Sequence, residues 1–78
     1  MKTVEINKRI YLVPENWNEL TEKQLLKVID VLYGYYIPDE ARLKLLKIIT
    51  GMSWFRFFKV PVQEKQEFLY LADFLIDG

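Results

Sequence analysis

The sequence predicts an α+β fold: an N-terminal β-hairpin packed on a small, mostly helical domain of three to four helices. Three observations predict it. Two short runs rich in β-branched and aromatic residues, Thr3–Ile6 and Ile10–Val13, flank a polar Asn7–Lys8–Arg9 loop. Thr21, followed three residues on by Gln24, opens a leucine-rich segment with helix-capping chemistry. Gly34, Pro38, Gly51 and Pro61 then cut the remainder into helix-sized pieces. A chain of 78 residues makes one domain.

In the hairpin, Asn7 tolerates a left-handed turn conformation. By the two-residue period, Val4 and Ile6 share one face of the first strand, and Ile10 and Leu12 share one face of the second. A lone hairpin is marginal in water, so it must pack on the helices or pair elsewhere. Pro14 ends the second strand, because it cannot donate to a ladder. Trp17, in the turn that follows, reads as a plug at the edge of the core, given the area a Trp buries.

The first helix runs from Glu22 to Tyr33. The Thr21 hydroxyl caps it, and Gln24 reaches back to the Thr21 backbone N–H. Leu20 and Leu25 have the spacing of a hydrophobic staple, and Glu22 suits the positive end of the helix dipole. Leu25, Val28, Ile29, Leu32 and Tyr36 form the apolar face, opposite a wet stripe of Lys23, Lys27, Asp30 and Gly34. Gly34 is the expected end point. Tyr33, Tyr35 and Tyr36 cluster there. Such a cluster suits an interface, where rings are buried and hydroxyls stay wet, and equally suits the rim of a core.

Pro38, Asp39 and Glu40 suit the first turn of the second helix. Ala41, Leu45, Ile48, Ile49 and Met52 form its buried face, and Gly51 sits where a helix-ending glycine is expected. The first two helices then make an antiparallel hairpin. Ser53–Val60 has strand propensity, but Ser53 can cap a short helix that Pro61 cuts off, and the short helix is favoured. A third main helix is expected from Val62 to Ile76, with Phe68, Leu71, Ala72 and Leu75 on one face and Glu67 and Asp73 left in water.

Composition removes several function classes. Cysteine and histidine are absent, which excludes disulfides, the usual zinc ligand sets, and Cys–His or Ser–His nucleophile pairs. The three glycines are scattered, so no loop cradles a phosphate in the manner of a P-loop. Glu64 and Glu67 lie one helical turn apart but have no nucleophile or base beside them, and read as a solvated face. The expectation is a non-enzymatic protein with no catalytic residues, no cofactor, no metal and no small-molecule substrate. No apolar run reaches membrane-spanning length and no signal-peptide pattern opens the chain, so a soluble cytoplasmic protein is the default.

Hydrophobic residues make up 51% of the chain and aromatics 15%, more than so small a domain hides easily. A protein partner or self-association is therefore favoured over a self-sufficient core. Tyr33, Tyr35, Tyr36, Trp54, Phe55 and Phe58 are the candidate contact residues. Formal net charge is zero, which argues against whole-chain attraction to nucleic acid or anionic lipid. Charge is nonetheless segregated: residues 42–59 carry five basic side chains and none acidic, namely Arg42, Lys44, Lys47, Arg56 and Lys59. Interleaved with Trp and Phe, such a block allows a helix-turn-helix reading in which Gly51 leads into a recognition helix from Ser53. Against it, Lys47 sits where a small residue lets two such helices approach. The start of the second helix would also present Trp54 and Phe55 rather than base-reading groups. A DNA-binding regulator is thus the alternative, and docking of the basic block on an acidic partner a third option.

The order and spacing of Ile10–Tyr11–Leu12–Val13–Pro14, then Trp17 to Leu25, Gly51, Trp54, Phe57–Phe58, Pro61 and Phe68 to Asp77 resemble a group of small proteins from phages and prophages of Bacteroides-like gut bacteria. The likeness spans most of the chain and includes no catalytic fingerprint. It implies a virion-structural or tail-assembly role exercised by binding other phage proteins, in the bacterial cytoplasm or in the virion. It also implies that residues 1–78 are the N-terminal part of a longer protein.

Overall fold

Asn7 and Lys8 make the first chain reversal, both with positive φ, 50° and 68°. Two consecutive left-handed residues build the two-residue turn whose twist matches that of antiparallel strands. It joins β1 (Lys2–Ile6) to β2 (Arg9–Val13), each one residue longer at its start than the sequence predicts. The computed structural model describes residues 1–77; the expectation attached to Gly78 lies outside the described residues.

Val4 lies opposite Tyr11 and Thr3 opposite Leu12. The pleat therefore turns Val4, Ile6, Tyr11 and Val13 to one side and Thr3, Glu5, Ile10 and Leu12 to the other. The first set enters the core and the second stays exposed. Packing on the helices is what stabilises so short a hairpin. Pro14 is buried at the end of β2. A 3-10 turn at Trp17–Glu19 follows, and Trp17 meets the edge of Phe74 with ring centroids 6.4 Å apart. Trp17 thus covers the margin of the core.

Five helices and a further 3-10 turn follow among the described residues: α1 (Glu22–Leu32), α2 (Pro38–Thr50), α3 (Trp54–Lys59), α4 (Val62–Glu67), the 3-10 turn Leu69–Ala72, and α5 (Asp73–Asp77). The expected caps are present. Thr21 Oγ1 accepts from the Gln24 N–H at 3.1 Å, and Gln24 Oε1 accepts from the Thr21 N–H at 2.9 Å. Pro38 opens α2, Gly51 closes it with φ of 73°, and Ser53 caps α3. The Gln24 side chain also donates to the Ile48 carbonyl, at 3.2 Å. The start of α1 thereby lies against the end of α2, as an antiparallel pair requires.

The core joins Val4, Ile6 and Val13 of the hairpin to Val28, Leu45, Leu46, Ile49, Met52, Val60, Leu71, Ala72 and Leu75. Three expectations are corrected. In α1 only Val28 is fully buried, while Leu25, Ile29, Leu32 and Tyr36 keep more than a third of their surface exposed. In α2, Leu46 and Thr50 join the buried face, and Ala41 and Ile48 move to its margin. The expected third helix is broken at Phe68, which takes φ −104° and ψ 2° and leads into the tighter 3-10 turn. A straight helix would align Glu64 with Phe68, Leu71 and Leu75. Glu64, in α4 ahead of the break, accepts the backbone N–H of Asn7 in the hairpin turn. Asp73 pairs with Arg42 at 3.3 Å rather than being left wholly in water.

Candidate interaction surface

On a helix, each residue is rotated about 100° from the last. In α1, Val28 and the half-covered Gln24 and Val31 define the side that meets the core. Leu25, Ile29 and Leu32 lie on one flank of it. Leu26 and Tyr33 continue that flank outward, 62% and 84% exposed. The apolar arc of α1 is therefore wider than α2 and the core can cover, and roughly half of it faces solvent. This is an unpartnered helix face, continuous from Leu25 to Tyr33.

All six aromatic residues singled out from the sequence are exposed. Tyr35 and Tyr36 extend the α1 arc into the turn before α2, where Tyr36 lies over Gly34 and under the Lys44 ammonium, 4.8 Å from its ring centre. A Cβ on Gly34 would come within 2.5 Å of the Tyr36 ring, so the missing side chain is what admits it. Trp54 and Phe55 meet edge to face at 6.0 Å. Phe57, their neighbour on α3, turns inward and carries the Lys65 ammonium over its ring. Phe58 points away from the core, 77% exposed.

The tertiary structure divides the five basic residues. Arg42 is held by Asp73 and, more distantly, by Asp39. Lys44 and Lys47 line a groove of about 460 Å³ together with Lys27, Asp30, Tyr36 and Trp54, so one aromatic from each cluster reaches the same groove. Arg56 and Lys59 line a separate cleft of about 360 Å³ with Phe55 and with Arg9, Tyr11 and Asn7 of the hairpin. Six residues of α3 span only about 9 Å at the helical rise of 1.5 Å per residue, a short piece for a recognition helix.

Two contributors are missing from the sequence-based set. The exposure of Leu25, Leu26, Ile29 and Leu32 had a signal, since six apolar residues within eleven exceed what one neighbouring helix buries. Arg9 had none, because its cleft partners Arg56 and Lys59 lie on a different element far along the chain. Of the carboxylate pair, Glu64 is engaged by the hairpin turn and Glu67 is exposed. Among the described residues no helix is long and apolar enough to cross a membrane. Neither a protein-family model, nor a curated protein, nor a solved structure matches the chain.

Proposed function

We propose that the protein is a non-enzymatic protein–protein interaction module, and that it serves as a structural or assembly component of a phage or prophage. The observation that carries the first part is the outward apolar arc of α1: Leu25, Leu26, Ile29, Leu32 and Tyr33 on one continuous face. Contiguous exposed apolar surface of this kind is the usual mark of a docking site on a small domain. Tyr35 and Tyr36 at its end, and Trp54 across the groove, supply rings of the type enriched at interfaces. The phage setting rests on the resemblance of the strand, Pro14 and Trp17–Leu25 pattern.

Light scattering after size exclusion, over a dilution series at low and high salt, tests the reading. The expected result is association that persists at high salt and is abolished by Leu26→Glu, a change at an exposed position that the core does not feel. A small DNA-binding regulator predicts the reverse: a monomer whose binding to duplex DNA weakens steeply with salt and is untouched by Leu26→Glu.

A further inference from the structure

The cleft between the hairpin turn and α3 carries a different chemistry, independent of the α1 face. Arg9 enters it from the start of β2, and Arg56 and Lys59, one helical turn apart, enter from α3. None of the three makes an ion pair among the described residues, and no carboxylate lines the cleft. Glu64, the acidic residue at the turn, accepts the Asn7 N–H and is not part of the lining. The two other places where the basic block of residues 42–59 lies differ. Arg42 is neutralised by Asp73, and the Lys27–Lys44–Lys47 groove contains Asp30. Three cations without an ion pair, lining one concavity, favour an anion there.

We propose that this cleft is a phosphate-binding site. Two guanidinium groups supply forked donors that match phosphate oxygens, and the lysine adds a point charge. Lys59 is held over the Phe55 ring at 4.4 Å, which limits its freedom before a ligand arrives. Ser53 Oγ accepts the Arg56 N–H at 3.3 Å, its own O–H remains available as a donor, and Tyr11 and Asn7 also line the cleft. A volume of about 360 Å³ falls at the small end of ligand pockets and suits a phosphoryl group with one further unit attached, not a folded partner. The phosphoryl group can come from a free phosphorylated small molecule or from the backbone of a single nucleic-acid strand.

An NMR titration of the full chain with sodium pyrophosphate, and separately with a short oligothymidylate, tests the site. The expected result is saturable shifts of the Arg9, Tyr11, Ser53, Arg56 and Lys59 amides. The double variant Arg56→Gln/Lys59→Gln should raise the dissociation constant about tenfold, or about 1.4 kcal/mol. Arg9→Gln should weaken binding as well, since the hairpin supplies one of the three cations. Lys44→Gln/Lys47→Gln removes the same charge from the other groove and should leave binding unchanged. Saturation by pyrophosphate assigns a free ligand. Saturation by the oligonucleotide alone, lost in the Arg56/Lys59 double variant, assigns a strand backbone. Absence of saturable shifts with either probe, or equal weakening by the two double variants, overturns the proposal.

Discussion

Replacing Gln24 by Glu sets local helix chemistry against tertiary structure. Locally the change is favourable. Glu at the third helical position completes a capping box as well as Gln, and its charge suits the positive end of the dipole, a gain of about 0.3–1 kcal/mol. The fold predicts the opposite sign. Gln24 Nε2 donates to the Ile48 carbonyl at 3.2 Å in a partly buried position, and a carboxylate cannot donate. Ile48 O still accepts the Gly51 N–H, so it is not orphaned, and the lost bond costs about 0.5–1.5 kcal/mol. The new charge also faces a carbonyl at the negative end of α2, which adds a similar amount and offsets the local gain. The net expectation is a destabilisation of about 1 kcal/mol, a fall in Tm of about 4–8 °C for a domain of this size. Urea unfolding followed by circular dichroism should show a lower midpoint at an unchanged slope. The deficit should shrink as pH falls and the introduced carboxyl protonates, because it can then donate. A Gln24→Glu protein as stable as the parent, or more stable, would refute the claim that this side chain links α1 to α2.

Lys8 is held at φ 68°, where a side chain costs about 1–2 kcal/mol, so Lys8→Gly should gain about 0.5–1 kcal/mol after the added unfolded-state freedom is subtracted, read from the thermal midpoint. Gly51→Ala should lose about 1 kcal/mol through strain alone, since φ is 73° and the added methyl would meet no residue beyond its chain neighbours within 4 Å; unfolding midpoints check it. Glu19 accepts from the Met1 amine, and from the Glu15 N–H, which lowers its carboxyl below the usual range, while the same bond to Glu19 raises the amine. A lowered carboxyl stabilises above its unfolded pKa and loses that effect as pH falls through its folded pKa. A raised amine stabilises below its unfolded pKa and loses it as pH rises through its folded pKa. The difference in Tm between parent and Glu19→Gln should therefore be largest between about pH 4.3 and pH 8, and narrow on both sides.

Much of the local structure is legible because its causes lie within a few residues. Thr21 and Gln24 close a capping box three residues apart, Ser53 caps the Arg56 N–H, Gly51 supplies a left-handed stop, and Asn7 enters a turn that needs positive φ. These contacts form wherever the backbone is helical or reversed, so the sequence alone determines them. It also shows an apolar share of 51%, more than a domain of 78 residues hides easily. Periodicity could not say which part of the α1 arc is covered, because Leu25, Val28, Ile29 and Leu32 are equally apolar and only the approach of α2 selects Val28. The partners of the acidic residues on either side of the break at Phe68 likewise come from a distance: Glu64 is 57 residues from the Asn7 N–H it accepts, and Arg42 is 31 residues from Asp73. The basic residues, gathered in one stretch of the chain between 42 and 59, part into an ion pair and two separate clefts once α2 and α3 diverge at Gly51, and Arg9 joins Arg56 and Lys59 only because the hairpin folds back on α3. Hydrogen bonds between neighbours in sequence cost little loop entropy and form locally. The choice among chemically equivalent faces and partners belongs to long-range packing, which no local pattern encodes.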